Sequence, residues 1–339
     1  MRILAVSRSF LPSLGGIETT TDALARAWAA AGHEVTIATE TPSAEDAPQP
    51  GIALLRGPSR RAFFRAARAA DLVWHNHLSL RAAWTQALAW RPWVVTHQGW
   101  LRRSDGTLTP GYRVKRAAAR AAHAVAISRA IAADLPVAAT VIPNPYRDRL
   151  FRTLDGPRRY ELAFLGRLVT DKGAGLLLEA LARLNPTGRS PQLLIVGSGP
   201  EEQALRARAH QLGLGGRVRF AGALRDRELV EALNEARILV VPSLYDEPFG
   251  IVALEGIACG CAVIASAGGG LPEAVGPCGL TFRNGDADAL AARIAELLDD
   301  PRRRDELIAR APAHLAQFTA EAIAARYLHL FEAVARTGR

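Results

Sequence analysis

Two glutamates, Glu247 and Glu255, lie in the segment DEPFGIVALEGIACGCAVIASAGGGLPEAV, residues 246–275. The segment follows the apolar run ILVVP, and we predict that a helix begins within it near Phe249 and Gly250. Gly250 would let a ligand approach the backbone, and the unpaired amides of the first helical turn would bind an anion such as a diphosphate.

One of these glutamates precedes the predicted helix, and the other lies about a turn and a half inside it. Two carboxylates spread in this way suit the hydroxyls of one extended ligand, such as a sugar and a ribose, better than paired acid–base catalysis. In the alternative interpretation, Glu247 only complements the helix dipole and Glu255 is a solvated helix position.

Two cations flank a predicted strand-to-helix loop in FLGRLVTDKGAGLLLEAL, residues 164–181. Arg167 follows the apolar strand, and Lys172 opens a helix whose dipole already disfavours positive charge. An anionic ligand would explain both, and they would stabilise a diphosphate leaving group as a glycosidic bond breaks. In the other interpretation they are surface side chains extending from loop ends. Of the 42 basic residues only Lys115 and Lys172 are lysines, which favours a site at Lys172.

Two glycine turns are further candidates for ligand binding. Gly15 and Gly16 stand between the first predicted strand and helix, where the backbone either approaches a phosphate or sugar or simply turns. Gly197 lies in VGSGPEE, residues 196–202, which lacks the third glycine and the distant acidic residue of the dinucleotide fingerprint G-x-G-x-x-G. The sequence therefore does not predict a nicotinamide oxidoreductase.

No metal site is predicted. Asp286 and Asp288 form the chain's Asp-x-Asp pattern, but they follow Asn-Gly and open an apolar helix, which favours an N-terminal cap. His75 and His77 alternate at a strand end and are predicted to face the same side. Because no third ligand accompanies them, we interpret them as cleft-lining or structural histidines.

Short β-branched or aliphatic runs alternate with alanine-rich helical stretches, which predicts parallel sheets with right-handed crossovers. The runs are RILAV, EVTIAT, DLVWH, WVVTH, AVAIS and ATVIP in the first half and ELAFLG, QLLIVG, RVRFAG, ILVVP and CAVIAS in the second. The chain of 339 residues suffices for two α/β domains, each with its own core. In such doubly wound folds, ligands bind at the loops that follow the strands.

An aperiodic segment rich in proline and arginine, residues 142–159, separates the two halves. We therefore predict an N-terminal Rossmann-like domain over residues 1–155 and a C-terminal one over residues 156–319. The final helix, residues 320–339, is expected to complete the N-terminal domain.

Composition excludes several classes of protein. The net charge of +9 is compatible with nucleic acid, anionic lipid or a phosphorylated substrate, but no run of lysine and arginine resembles a nucleic-acid-binding arm. No apolar run approaches the roughly 20 residues of a membrane-spanning helix, and the first ten residues resemble a strand and not a signal peptide. Cys259, Cys261 and Cys278 suit neither a disulfide framework nor zinc. We expect a cytoplasmic protein that binds no nucleic acid and needs no cofactor.

Five motifs in this order resemble the retaining glycosyltransferases of family four, namely LGRLVTDKG, VGSGP, VRFAG, EPFGIVALEGIACG and GGGLPEAV. The two glutamates eight positions apart match the signature glutamate pair of that family. The resemblance covers nearly the whole chain and is strongest over residues 164–275. It implies the α/β architecture called GT-B, in which two Rossmann-like, doubly wound parallel-sheet domains face a central cleft.

The resemblance implies transfer of a sugar, as by a hexosyltransferase, from a nucleoside diphosphate to a hydroxyl, with retained configuration and no metal. UDP or GDP donors are expected, with a sugar, lipid-linked or small-molecule acceptor in bacterial polysaccharide, lipid-linked glycan or glycoconjugate synthesis. The absence of a carboxylate placed like the nucleophile or acid of a retaining hydrolase agrees with front-face displacement.

The resemblance also implies which residues contact the donor. Arg167 and Lys172 would bind the diphosphate, Glu255 the ribose hydroxyls and Glu247 the transferred sugar. His97, in WVVTHQGW, matches the histidine that these enzymes place beside the donor sugar. The remaining implied donor contacts are Gly15, Gly16, Gly197, Pro248, Phe249, Gly250 and Ile251. The residues with catalytic roles would be His97, Arg167, Lys172 and Glu247.

The acceptor side is predicted only in outline. The segment of residues 99–120 supplies aromatic and arginine side chains that suit a sugar or phosphorylated acceptor, and equally suit a loop that packs on its neighbour. These acceptor candidates are Trp100, Arg102, Arg103 and Tyr112.

Residues 58–71 predict a basic helix with arginines near one side and Phe63 and Phe64 beside them. The arginines are Arg61, Arg65 and Arg68. This helix would either contact anionic lipid, which would make the protein peripheral to the inner face of the membrane, or be solvated with its phenylalanines in the core.

Two other functions are less compatible with the sequence. A phosphorylase of the same architecture would need a further lysine for pyridoxal phosphate. A catalytically silent nucleotide-sugar-binding subunit of a glycan assembly complex would be expected to lack a donor residue.

The sequence departs from the family pattern at three places, Asn144–Pro145, Thr170–Asp171 and Gly256–Ile257. These departures are expected to affect the fine geometry of the site and not the class of protein.

Overall fold

The computed structural model describes residues 1–13, 15–43, 50–103 and 105–337. The chain divides into two compact units, Met1–Tyr146 with Phe318–Arg339 and Arg147–Gln317. The division at residue 147 lies inside the predicted linker and before the predicted boundary at residue 156.

The N-terminal unit is built on seven parallel strands within the described residues. They are β1 (Arg2–Val6), β2 (Glu34–Thr39), β3 (Ile52–Arg56), β4 (Leu72–Asn76), β5 (Trp93–His97), β6 (His123–Ala126) and β7 (Thr140–Val141). Their order in the sheet is β3-β2-β1-β4-β5-β6-β7. The helices of this unit are α1 (Gly16–Ala30), α2 (Arg60–Ala69), α3 (Leu80–Ala89), α4 (Pro110–Ala118) and α5 (Arg129–Asp134).

The C-terminal unit is built on six parallel strands, again counting the described residues. They are β8 (Tyr160–Leu165), β9 (Leu193–Val196), β10 (Val218–Gly222), β11 (Ala236–Val241), β12 (Ala262–Ser266) and β13 (Gly279–Phe282). Their order is β10-β9-β8-β11-β12-β13. The helices are α6 (Ala174–Leu184), α7 (Glu202–Gln211), α8 (Asp226–Asn234), α9 (Ile251–Ala258), α10 (Leu271–Val275), α11 (Ala287–Asp299), α12 (Pro301–Ile308) and α13 (Ala311–Leu315).

The last helix, α14 (Ala320–Thr337), packs into the core of the N-terminal unit. Trp28 Nε1 of α1 donates to the carbonyl oxygen of Ala324 at 3.2 Å, and the hydroxyls of Thr96 and Tyr327 are 2.8 Å apart. These polar contacts fix α14 in a core that also holds Trp74.

Two strands were not predicted from the sequence, β3 and β13. Each forms an edge of its sheet, and most of its residues are only partly buried. An edge strand covered on fewer sides needs no continuous apolar run, so its sequence gives a weak signal.

Gly256, one of the departures from the family pattern, allows α9 to pack directly on β11. A Cβ atom at this position would lie 2.3 Å from Leu239 Cδ2 and 3.1 Å from its Cβ. The alanine that is common in the family would therefore need Leu239 to move. In the described part of the chain, no helix is long and apolar enough to cross a membrane.

Candidate functional site

The chain order of the C-terminal sheet reverses between the neighbouring strands β8 and β11. Doubly wound folds bind ligands outside the carboxyl ends of the strands at such a point. Arg167 follows β8 and is exposed, and the chain then turns at Thr170–Lys172 before α6. Glu247 follows β11. Two predicted donor segments, far apart in sequence, thus follow the two strands that flank this point.

Lys172 and Glu247 form an ion pair, with 2.5 Å between Nζ and Oε1. The same Oε1 accepts a hydrogen bond from Ser243 Oγ at 2.7 Å, and Oε2 accepts one from the Tyr245 hydroxyl at 2.8 Å. Glu247 is only 6% exposed. Three donors therefore fix a buried carboxylate. A glutamate that only complemented the helix dipole would not need these contacts.

Tyr245 and Ser243 were missed by the sequence analysis. Lys172 donates to the Tyr245 hydroxyl at 3.2 Å, and Nζ lies 5.2 Å from the centre of the Tyr245 ring. Burial, together with the negative charge of Glu247, raises the pKa of the Tyr245 hydroxyl far above its ordinary value. The hydroxyl therefore stays protonated and donates to the carboxylate. The available signal was the presence of two hydroxyl residues just before Glu247 in a loop that follows a strand.

Helix α9 begins at Ile251, directly after Gly250, whose φ of 103° is left-handed. A Cβ atom on Gly250 would lie 2.4 Å from Leu271 Cδ2, so both the backbone and the space require glycine here. Gly250 has no side chain to cap the helix. Ala253 N donates to the carbonyl oxygen of Gly250 at 3.0 Å, and the amides that precede it in the first turn are those that a helix N-terminus offers to an anion. Phe249 is buried and anchors this turn.

Gly197 allows the loops that follow β8 and β9 to pack closely on each other. Its φ is 139°, and a Cβ atom would lie 1.8 Å from the carbonyl oxygen of Gly166. Packing alone therefore restricts this position to glycine. The predicted contact between Gly197 and the donor would have to come from its backbone.

Glu255 lies inside α9 and is 13% exposed, so it is not the solvated position of the alternative interpretation. Its Oε1 lies 3.7 Å from Arg147 Nε, and Arg147 also donates from Nη1 to Asp226 Oδ1 at 2.9 Å. Burial raises the pKa of Glu255 to about 7, and the charge of Arg147 partly opposes this rise. Arg147 was not predicted, because nothing in its local sequence pairs it with a residue so distant along the chain.

The N-terminal sheet reverses order between β1 and β4. The residues that follow these strands are Arg8 after β1 and His77 after β4. Gly15 and Gly16 are both exposed, and Gly16 is the first residue of α1. The φ of Gly15, −168°, is open to any residue, but a Cβ atom there would lie 2.5 Å from Glu18 Oε2, so the Glu18 side chain occupies the space beside this turn.

His97 is the last residue of β5 and is fully buried. Neither of its ring nitrogens has a hydrogen-bond partner among the described residues. Burial lowers the pKa of His97 to about 4, and the charges of His77 and Lys115 lower it further. A neutral imidazole with unsatisfied nitrogens can donate to or accept from a sugar hydroxyl.

His75 and His77 do not form the predicted pair on one strand face. His75 is fully buried in β4, where its ring lies 5.3 Å from that of Trp93. His77 lies beyond the end of β4 and has a φ of 77°. The alternation of side chains along a strand therefore does not determine which side His77 faces. Neither ring nitrogen of His75 has a hydrogen-bond partner among the described residues, whereas His77 lines a cavity of about 330 Å³.

The predicted acceptor residues separate into two kinds. Arg102 Nε donates to Asp134 Oδ1 at 2.8 Å, and its guanidinium lies 4.6 Å from the centre of the Trp100 ring. These contacts fit the alternative of a loop that packs on its neighbour. Arg103 is exposed, and Tyr112 lies beside Lys115, with 6.0 Å from Nζ to the ring centre.

The basic helix predicted at residues 58–71 is α2. Phe63 belongs to the core of the N-terminal unit, and Phe64 packs against that core. Its arginines Arg61, Arg65 and Arg68 are exposed. The apolar residues of α2 are therefore occupied inside the unit, while its charged side remains free to meet solvent or an anionic surface.

Asp286 caps α11, since its Oδ1 accepts a hydrogen bond from the backbone amide of Ala289 at 2.8 Å, as predicted. The three cysteines are free and buried. Within the residues that the structure describes, no group of three histidine, cysteine, aspartate or glutamate side chains could hold a metal ion.

Comparison with known proteins agrees with this architecture. The family described as glycosyl transferases group 1 matches residues 150–314, and glycosyltransferase family 4 matches residues 14–147. Glycogen synthase of Mycobacterium tuberculosis is 31% identical over an alignment of 366 positions, gaps included, that covers 89% of this chain and 87% of that protein.

Two further relatives match over shorter stretches. A GDP-mannose-dependent monoacylated alpha-(1-6)-phosphatidylinositol monomannoside mannosyltransferase of Corynebacterium glutamicum is 37% identical, over 52% of this chain and 48% of that protein. A D-inositol 3-phosphate glycosyltransferase of Corynebacterium jeikeium is 36% identical, over 56% of this chain and 48% of that protein. The chain spans about half the length of these two relatives.

Solved structures share the fold over almost the whole chain. Anabaena HepE in complex with UDP and glucose has a TM-score of 0.81 at 21% identity, covering 98% of this chain and 100% of that one. Sucrose-phosphate synthase of Thermosynechococcus elongatus has a TM-score of 0.78 at 25% identity, covering 99% of both chains.

The fold and the strand order of the two units define the GT-B class. The chain belongs to the group 1 glycosyltransferases of family 4.

Proposed function

We propose that this protein transfers a sugar from a nucleoside diphosphate to a hydroxyl acceptor, with retention of configuration and without a metal ion. The observation that carries the proposal is the ion pair between Lys172 and Glu247 at the switch point of the C-terminal sheet. It places a cation suited to a diphosphate against a carboxylate suited to sugar hydroxyls.

The diphosphate would be bound by Arg167, Lys172 and the first turn of α9. When the bond from the anomeric carbon to the phosphate oxygen breaks, its electron pair goes to the nucleoside diphosphate. The guanidinium, the ammonium and the helix amides stabilise that negative charge. The acceptor hydroxyl oxygen bonds to the anomeric carbon, and its proton passes to a phosphate oxygen of the leaving group.

Glu247 and Glu255 would hold the two ends of the donor. Glu247 Oε2 retains acceptor capacity for a sugar hydroxyl, because it accepts one hydrogen bond and has two lone pairs, whereas Oε1 already accepts from both Lys172 and Ser243. Glu255 lies further along α9, where it would accept hydrogen bonds from the ribose hydroxyls. The roles of His97, Gly15 and Gly16 are proposed from the family resemblance.

A uridine or guanosine diphosphate donor is the first expectation. Anabaena HepE binds UDP and glucose, and the corynebacterial mannosyltransferase depends on GDP-mannose. The names of the relatives also support a role in building bacterial glycans, lipid-linked glycosides or glycogen-like polysaccharides.

A thermal-shift panel of UDP-, GDP-, ADP- and CDP-sugars tests the proposal. Ligands that bind the folded state raise its melting temperature by mass action. We expect stabilisation by one nucleotide class, lost in Lys172→Ala and Glu255→Ala. Arg302→Ala is a matched control, because Arg302 is an exposed cation of the same unit outside the site. Indifference to every nucleotide would contradict the proposal.

Turnover separates an enzyme from a silent binding subunit. Release of nucleoside diphosphate from the stabilising donor is expected for the wild-type protein. Binding without any release, with acceptor mixtures present, would instead identify a silent nucleotide-sugar-binding subunit.

A further inference from the structure

Two neighbouring cavities of the N-terminal unit share Arg8, Ser79 and Arg81 as lining residues. One cavity, of about 580 Å³, lies beside the carboxyl ends of β1 and β2 and the start of α2. The other, of about 330 Å³, lies between the segments that follow β1 and β4 and reaches Lys115 on α4. Their sizes suit a small molecule, and the second occupies the switch point of this sheet.

The lining of these cavities is strongly cationic. Among the residues that the structure describes, the lining contains Arg8, Arg60, Arg81 and Lys115 and a single carboxylate, that of Glu40. Glu40 is shared, with 3.3 Å from Oε2 to Arg8 Nε and 3.9 Å from Oε1 to Arg81 Nη1. All three side chains of this group are exposed, so these ion pairs are weak. Four cations thus face a space with one partly shared anion.

Lys115 is half-buried, whereas the three arginines of this group are exposed. Among residues 1–13, 15–43, 50–103 and 105–337, no carboxylate forms an ion pair with it. Burial lowers the pKa of Lys115, and the positive charge of Arg8 lowers it further. A half-buried ammonium that faces a like charge is unfavourable, and an anion between the two would relieve both the desolvation and the repulsion.

Other groups around the smaller cavity are also suited to an anion. Ile17, in the first turn of α1, lines it, and the helix dipole favours negative charge there. His77 lines it too, and its buried Nδ1 has no hydrogen-bond partner in the described chain. The polar groups at this end of the sheet therefore converge on one small volume.

We propose that this pocket, defined by Arg8, Arg81 and Lys115, binds a phosphate group of the acceptor. The glycosylated hydroxyl then belongs to a phosphomonoester or phosphodiester, either a soluble sugar or polyol phosphate or the headgroup of a phospholipid. The assignment of this phosphate to the acceptor rests on the proposed glycosyl transfer, while the phosphate site itself is tested independently.

The test measures binding of inorganic phosphate and glycerol 3-phosphate by calorimetry, with Lys172→Ala as the background so that the proposed donor site does not contribute. We expect binding in this background, weakened at least about tenfold by Lys115→Gln, the loss expected for one charge-assisted hydrogen bond. Arg113→Gln is the matched control, because Arg113 is an exposed cation of the same helix. Equal affinities in Lys115→Gln and Arg113→Gln would overturn the proposal.

Arg81→Gln is a second variant that separates loss of the site from misfolding, because the Arg81 side chain is 81% exposed and its replacement should not disturb the fold. It is expected to weaken phosphate binding while leaving the melting temperature unchanged. If Arg81→Gln and Lys115→Gln both bind phosphate as the background does, the site does not exist.

Vesicles distinguish the two sources of phosphate. Flotation on phosphatidylinositol–phosphatidylcholine vesicles that depends on Lys115 would identify a lipid headgroup, whereas binding of glycerol 3-phosphate without flotation would identify a soluble acceptor. The absence of both phosphate binding and flotation would overturn the inference. The single variant Lys115→Gln should still be stabilised by the donor nucleotide. A wild-type protein that binds phosphate but no nucleotide would contradict the proposed function and not the phosphate site.

Discussion

Lys172 and Glu247 are 75 residues apart in sequence and 2.5 Å apart between Nζ and Oε1. The ammonium has three protons, of which one is directed to Glu247 and one to the Tyr245 hydroxyl. One proton remains for a phosphate oxygen. The pair therefore joins the proposed diphosphate contact to the proposed sugar contact through a single buried carboxylate.

Tyr245→Phe is expected to weaken donor binding by about two- to tenfold, the cost of one neutral hydrogen bond. The change removes the hydroxyl that donates to Glu247 and accepts from Lys172, while the ring remains. Titration of the donor nucleotide measures the effect. Tyr160→Phe is the control, since the Tyr160 hydroxyl accepts an exposed contact from Arg219 in the same unit. Equal losses in both variants would contradict the role of Tyr245.

Donor affinity is expected to fall as the pH falls through about 7, because burial raises the pKa of Glu255 to about 7. The ionised carboxylate is a better acceptor for ribose hydroxyls than the protonated one. Glu255 is ionised above this pKa and becomes protonated below it, where the stronger hydrogen bonds are lost. Affinity should decrease by up to about tenfold per pH unit on the acid side.

Glu255→Gln should remove this pH dependence and bind weakly throughout, whereas the exposed control Glu306→Gln should retain it. Calorimetric titrations between about pH 6 and 8 provide the comparison. A wild-type affinity that is constant over this range would exclude Glu255 as the titrating contact.

Gly250→Ala is expected to destabilise the C-terminal unit by at least about 1 kcal/mol, because the left-handed backbone and the contact with Leu271 both oppose a Cβ atom. Gly216→Ala, at a position with no atom within 4 Å of the added Cβ, should change stability by less than about 0.5 kcal/mol. Denaturant unfolding measures both, and identical midpoints for the two variants would show that Gly250 is not required.

Activity is expected to survive chelation by EDTA, since Arg167 and Lys172 supply the positive charge that a metal would otherwise bring to the diphosphate. Arg167→Gln should reduce donor turnover under the same conditions. Abolition of turnover by EDTA with recovery on adding Mg²⁺ or Mn²⁺ would show that the two cations are insufficient.

The fold class could be predicted from the sequence, because most strands carry apolar runs; the partly covered edge strands β3 and β13 could not. Local context makes Lys172 and Glu247 candidates one at a time, and their role in donor binding stays a prediction. Their pairing and the contact from Tyr245 depend on tertiary structure. Arg147 and the cationic pocket around Lys115 arise from residues that folding brings together, which no local pattern reports.

The most direct test is calorimetric titration of the nucleoside diphosphate selected by the thermal-shift panel into the wild-type protein, Lys172→Ala and Arg302→Ala. The proposed site predicts that Lys172→Ala raises Kd by at least about tenfold while Arg302→Ala leaves it unchanged. Equal affinity in all three proteins, or no binding of any nucleotide to the wild type, would contradict a donor site built on Lys172 and Glu247.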